Sequence, residues 1–257
     1  MGQLKVILLF TLQMLIFSFL GFYLAGYNGL LIFFLLINAL NIYAYYFCDK
    51  FLLEKYNAIP LDNLKHPVYE IIDELVSKSN SSMPRVYLIS DNTANAFSTG
   101  RNSNDASLVI TTGLYDLLNK KEIEGVIAHE LAHIKNNDIL INSLVAYFSS
   151  LIAYFPNKMK ARYNNDILEE SSLFFVLNSI FTPLSSIYIK IFNTKRSDII
   201  ADDYASYLLK DVTFVQASIN SLSKLSNRAL LLNATLQTSN LFTVNPYFNK
   251  EEAFMNS

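Results

Sequence analysis

The run KKEIEGVIAHELAHIKNND, Lys120 to Asp138, holds two of the chain's three histidines. Lys120, Lys121 and Glu122 precede the motif His129-Glu130-Leu131-Ala132-His133, and Lys135, Asn136, Asn137 and Asp138 follow it. A helix is expected from about Lys120 to Asn136. On a helix, residues four apart share a face, so both imidazoles can address one ion. Zinc takes imidazole nitrogen at about 2.0–2.1 Å, and its catalytic sites use three protein ligands and leave one position open. Glu130 stands beside such an ion without binding it, where a carboxylate can take a proton from water. The bland alternative is a surface helix with two chance histidines and a solvated Glu. The third histidine, His66, precedes Pro67 and reads as a loop residue rather than a ligand.

Upstream of this helix the chain reads as soluble protein back to Asp49. Val68 to Lys78 has helical periodicity, with Val68, Ile71, Ile72 and Leu75 on one face. Arg85 to Ser90, Asn95 to Thr99 and Ser107 to Thr112 read as short strands, with a Gly/Asn/Ser-rich loop at Gly100 to Asp105. Before Asp49 come two uncharged apolar runs, Val6 to Ala25 and Leu30 to Phe47, joined by Gly26-Tyr27-Asn28-Gly29. Each has about the length that crosses the hydrocarbon of a bilayer. Together they predict a transmembrane helical hairpin rather than a cleaved signal peptide, since no small-x-small cleavage site follows the first run. Lys5 precedes the hairpin, Lys50 and Lys55 follow it, and the turn carries no Lys or Arg. Both ends, and the domain beyond, are therefore expected in the cytoplasm.

Downstream, Ile139 to Phe155 and Leu173 to Ile189 are again uncharged and apolar, the second with Pro183 inside it. They predict a second apolar helical pair associated with the membrane, the alternative being a buried or interfacial helical pair. Ser197 to Lys210 reads as an amphipathic helix, and Thr213 to Leu236 as one or two more. The Asn/Thr/Ser-rich stretch from Gln237 onward is expected to be mobile.

Composition agrees with lipid contact. Hydrophobic residues make up 52% of the 257 and charged residues 16%, against a usual charged share of about a quarter. A net charge of −2 offers no basic field for nucleic acid. The single cysteine, Cys48, forms no internal disulfide and reads as a small apolar residue near a membrane boundary, not as a nucleophile.

HELAH followed by Asn137-Asp138, and preceded by Asn95-Ala96-Phe97 and Ser98-Thr99-Gly100, resembles the HtpX-like branch of the M48 zinc metallopeptidases, membrane proteases related to the CAAX prenyl proteases. The resemblance covers most of the chain. It implies a cytosol-facing active site, a further apolar pair after the HExxH helix, and a role in membrane-protein quality control. The family's third zinc ligand is a Glu in an E-x-x-A-D helix. The matching stretch is Asp198-Ile199-Ile200-Ala201-Asp202, where Asp stands in place of Glu. The resemblance assigns the ligand role to Asp198, one methylene shorter in reach. It assigns to Asp202 the role of orienting a ligand imidazole through its free N–H. Asp138 is a further candidate for that orienting role, and the adjacent Glu169 and Glu170 are alternative ligands or a solvated loop. The His-Pro that often ends the family's domain has no counterpart, because Asn245-Pro246 stands before Lys250-Glu251-Glu252.

The expectation is an α+β protein: a mainly helical zincin-type metalloprotease domain with a small β-sheet, a transmembrane hairpin at 1–48, and a metallopeptidase domain at 49–257 with the apolar pair inserted at about 139–192. It carries one Zn2+ per chain on His129, His133 and Asp198, with Glu130 as the base. A polypeptide substrate is expected to lie along Asn95, Ala96, Phe97, Ser98 and Thr99 as an added edge strand. The protein is expected in a bacterial-type inner membrane, cleaving misfolded or membrane proteins on the cytoplasmic side, with no nucleic-acid partner. HELAH lies among Lys, Glu and Asn rather than inside an apolar run, which argues against an intramembrane protease. The other class to weigh is a catalytically weak metal-binding membrane protein with a structural or partner-binding role. The Asp at 198 favours that reading, and the retained Glu130 argues against it.

Overall fold

A computed structural model of the chain describes residues 2–62, 66–162, 195–226 and 235–244. Leu173 to Ile189, Glu169, Glu170 and Asn245-Pro246 lie outside the described residues.

The apolar N-terminus forms α1 (Gly2–Lys55), which is interrupted once. Ala25 and Gly26 leave the helical region, and Gly26 takes φ 60°, where glycine meets no steric penalty. On either side of the break, Gly21 and Gly29 bring the two arms into backbone contact. A Cβ at Gly21 would lie 2.4 Å from the Gly29 carbonyl oxygen, and one at Gly29 would lie 2.1 Å from that of Gly21. Val6 and Leu9 of the first arm and Ala44 and Cys48 of the second share one cluster with Leu140, Leu144 and Phe148. The outer surface is apolar: Leu8, Leu15, Phe19, Leu31 and Leu36 are all exposed. An 18-residue window of α1 is apolar enough to cross a membrane and only 17% buried by the protein itself.

The sheet has four strands in the order β1-β2-β4-β3: β1 (Ile59–Pro60), β2 (Arg85–Ile89), β3 (Ala96–Gly100) and β4 (Ala106–Thr111). β2 and β4 are parallel, and β3 pairs antiparallel with β4 at the edge. Alternation along the strands divides two cores. Leu108 and Ile110 face the larger one, with Ile72, Leu75, Val126, Ile127, Leu131 and Val215. Val109 and Phe97 face the other way, toward Leu52, Tyr56, Leu241 and Phe242.

Helices α2 (Pro67–Ser79), α3 (Thr112–Leu117), α4 (Lys120–Asn136), α5 (Ile139–Arg162), α6 (Lys195–Leu209) and α7 (Val212–Ser226) complete the described fold with a 3-10 helix at Leu236–Leu241. His66 is the N-cap of α2, its Nδ1 accepting from the Val68 amide at 3.3 Å, which suits the loop reading of that histidine. The stretch from Gln237, expected to be mobile, is ordered as far as Val244. Leu241 and Phe242 are buried, and the Thr243 amide donates to the Ala96 carbonyl at 2.9 Å.

Candidate active site

Helix α4 begins with a reciprocal cap. The Glu122 amide donates to Asn119 Oδ1 and the Asn119 amide to Glu122 Oε2, both at 3.0 Å. It ends on Asn137 in the left-handed conformation, φ 56°. Apolar Ile123, Val126, Ile127, Leu131 and Ile134 fix its rotation against the sheet and α7. That rotation turns His129, Glu130 and His133 toward one cleft, where all three are buried. The cleft holds about 250 Å³, walled by Ser98, the α4 motif and Asp198 on one side and by Ser239 to Thr243 on the other.

The imidazoles are held from behind. His129 Nδ1 lies 2.7 Å from Asp202 Oδ1, and His133 Nδ1 lies 3.3 Å from Asp138 Oδ2. Ser197 also donates to that Asp138 oxygen. A carboxylate accepts only, so each Nδ1 acts as the donor and each Nε2 is left with a lone pair. Those two Nε2 atoms face each other at 3.1 Å. Two lone pairs so close repel, unless a shared proton or a cation lies between them.

Donor atoms around one tetrahedral zinc, with bonds of about 2.0–2.1 Å, stand about 3.3 Å apart. The histidine pair meets that spacing, whereas Asp198 Oδ1 stands 3.9 Å from His133 Nε2. Among the described residues, no group of three His, Cys, Asp or Glu is drawn closely enough to hold an ion as it stands. The donor set of two imidazoles and a carboxylate fits a zinc-type ion once α6 or the Asp198 rotamer closes the remaining gap.

Charge is concentrated here. Burial opposes the charged form of His133, yet the Asp138 hydrogen bond and the Glu130, Asp138 and Asp198 charges outweigh it and hold its pKa above the ordinary 6.5. Partial enclosure pushes the Asp198 carboxyl above the ordinary 3.8, His133 and His129 pull against this, and Asp202 and Glu130 add to the rise. The Asp198 side chain is still 59% exposed, so solvent limits the effect.

The five residues expected to receive substrate fare differently. Ser98 lines the cleft and donates to Glu130 Oε2 at 2.7 Å. Phe97 is packed between Tyr56 and Phe242. Thr99 hydrogen-bonds Ser143 of α5 at 2.7 Å. Asn95 donates from its side chain to the Val244 carbonyl at 2.8 Å, and the Ala96 carbonyl accepts the Thr243 amide. The outer edge of β3 is therefore taken at Ala96 and Phe97 by the chain's own residues 242–244. Thr243, whose hydroxyl reaches Glu130 Oε1 at 2.7 Å, had no signal in the sequence. It sits in a polar stretch without period or motif.

A helix carrying HExxH, packed under a sheet edge and joined to a long apolar helix, defines a membrane metallopeptidase. The pattern of Peptidase family M48 matches residues 63–247, and the chain belongs to that family. It is 35% identical over 95% of its length to "Protease HtpX homolog" of Campylobacter concisus (strain 13826), covering 86% of that protein. It is 32% identical over 95% of its length to "Protease HtpX" of Legionella pneumophila (strain Lens), covering 90% of it. These make it an HtpX-like metalloprotease. Among solved structures it matches "Crystal Structure of S. mikatae Ste24p" at 19% identity and a TM-score of 0.47, over 89% of this chain and 58% of that one.

Proposed function

We propose that this chain is a zinc-dependent endopeptidase of a bacterial-type inner membrane, hydrolysing peptide bonds of misfolded or membrane proteins at a cytosol-facing site. His129, His133 and Asp198 would hold the zinc, one ion per chain, with Asp202 and Asp138 orienting the two imidazoles. The observation that carries this reading is the pair of Nε2 atoms facing each other at 3.1 Å, each ring backed by a carboxylate, with Glu130 beside them. When bound, zinc acidifies a water molecule toward a pKa of about 7 and polarises a carbonyl.

Glu130 then does the proton work. Its carboxylate accepts a proton from the attacking water and returns it to the leaving amine nitrogen. Asp202 and Asp138 hold the ring tautomers, and Asp198 completes the donor set. The strand register supports a narrower version of edge pairing. The Asn95 carbonyl bonds the Thr111 amide, so by alternation the main-chain groups of Ala96 and Ser98 face the open edge of β3. With Ala96 engaged by Thr243 and Phe97 bridged to Phe242, which directs the Ser98 amide at Leu241, an extended substrate would pair from the Ser98 carbonyl onward, in the cleft. Residues 1–48 form a transmembrane hairpin in this reading. Residues 49–257 form the peptidase domain, with the apolar pair at about 139–192 resting on the same membrane.

The 3.9 Å stand-off of Asp198 favours one rival, a weakly catalytic metal-binding membrane protein. Zinc content and hydrolysis of an unfolded polypeptide by detergent-purified protein, wild type beside Glu130→Gln, separate the two. The enzyme reading expects about one zinc per chain in both and a fall in kcat of roughly 10²–10⁴ in the variant. Equal rates in both proteins select the rival.

A further inference from the structure

Glu130 is 1% exposed, and each of its oxygens meets a different hydroxyl. Ser98 Oγ donates to Oε2 and Thr243 Oγ1 to Oε1, both at 2.7 Å. A carboxylate buried this far is costly unless donors surround it. Ser98 comes from the neighbouring strand. Thr243 comes from 113 residues further along the chain, on a segment with no sequence motif.

That segment is firmly placed. Phe242 packs edge-on against Tyr56 and Phe97, with ring centroids 5.2 and 5.0 Å apart. The Tyr56 hydroxyl hydrogen-bonds Thr238. Val244 is clasped by the Asn95 side chain, whose Nδ2 donates to the Val244 carbonyl at 2.8 Å. The Thr243 hydroxyl has one proton and two acceptors in reach, Glu130 Oε1 at 2.7 Å and the Ala96 carbonyl at 3.0 Å. The Thr243 amide already serves that carbonyl at 2.9 Å. The carboxylate is both the nearer and the stronger acceptor, so the hydroxyl proton goes to Glu130.

We infer that Thr243, paired with Ser98, is a positioning residue for Glu130, and that residues 235–244 are a built wall of the active site. The two hydroxyls hold the carboxylate in one rotamer, facing the cleft, while each oxygen keeps a second lone pair for the proton it must accept. Losing one hydroxyl frees that rotamer, so the rate of the chemical step falls while substrate binding stands. The inference rests on Glu130 being the base.

The test uses full-length protein reconstituted with zinc, comparing wild type, Thr243→Val, Thr243→Ser, Ser98→Ala, Glu130→Gln and the double variant Glu130→Gln/Thr243→Val. Thr243→Val is expected to lower kcat about tenfold or more, with KM within about twofold and zinc content unchanged. Thr243→Ser restores the rate. In the Glu130→Gln background, Thr243→Val costs nothing further, because its effect runs through Glu130. A wild-type kcat for Thr243→Val, or an equal fold-loss in both backgrounds, overturns the inference and leaves the base reading standing. Should Thr243→Val lose its melting transition or its zinc, Ser98→Ala takes its place, with the same selective loss expected and a wild-type kcat overturning the inference. If Glu130→Gln matches wild type, the base reading itself fails and the inference falls with it.

Discussion

At the scale of single residues, the gap at Asp198 makes the sharpest statement about metal. Its carboxylate oxygen stands 3.9 Å from His133 Nε2, where zinc donors want about 3.3 Å. A glutamate reaches one methylene further and closes the gap without moving α6. Asp198→Glu is therefore expected to hold zinc at least as tightly as wild type and Asp198→Ala to lose it, measured by competition with a chromogenic chelator. Full zinc in Asp198→Ala would move the third ligand elsewhere. Behind the rings, Asp202→Asn keeps the shape but weakens the acceptor on His129 Nδ1, now 2.7 Å away. A loss of about 10–100-fold in zinc affinity is expected in the same titration. The spacing of His129, Glu130 and His133 made the centre of this site legible in the sequence. Asp198 and Asp202 entered through family resemblance, because nothing local joins them to a helix some seventy residues earlier. Thr243 was not legible at all, since what places it is the packing of Phe242 on a strand far away in the chain.

At the scale of elements, the site depends on how closely α7 approaches α4. Gly125 lies one turn before His129, and a Cβ there would stand 2.3 Å from Ser218 Oγ and 2.5 Å from Ser218 Cβ. Ser218 is buried and its hydroxyl donates to the Phe214 carbonyl at 3.0 Å, so it has little freedom to turn away. Gly125→Ala is expected to destabilise the fold by about 1–3 kcal/mol through overpacking, despite the better helix propensity of Ala. Ser218→Gly opens the facing space, so the double variant should recover part of that loss in thermal melts. A double variant as unstable as the two single effects added together would refute the contact. The helix carrying the motif was readable to its ends, because charged and amide residues bound it and Asn119 and Glu122 cap it. The three longer strands were readable to within a residue from their β-branched content. β1 has two residues and α3 has six, too short for any period to register. The last segment reads as polar tail because its order comes from Leu241 and Phe242 docking at long range, which no local pattern reports.

At the scale of the whole molecule, the peptidase core is tied to the lower end of α1 by a run of charges. Arg85 bonds Asp105 at 2.9 Å and lies 3.7 Å from the buried Asp49, while Arg101 pairs with Asp105 and sits 5.5 Å over the Tyr46 ring. Tyr43, Tyr45 and Tyr46 stand just above this network, together with Phe47 and Lys50, in the arrangement of an interfacial belt. If that belt marks the membrane surface, the break at Ala25-Gly26 lies at the far side and the cleft on the near side, which is the cytoplasmic one in the proposed function. Cys48 is fully buried, so an introduced surface cysteine can be labelled against a silent background. Asn28 is exposed beside the break and Lys121 is exposed at the start of α4. In spheroplasts, Asn28→Cys is expected to react with an impermeant maleimide from outside, and Lys121→Cys only after permeabilisation. Reaction of Lys121→Cys alone from outside would place the active site on the opposite face of the membrane. Protection of both would mean that the two arms of α1 do not cross it. The expected pattern would fix the direction of substrate approach: polypeptide reaching the Ser98 edge comes from the cytoplasm, past the wall that Thr243 completes.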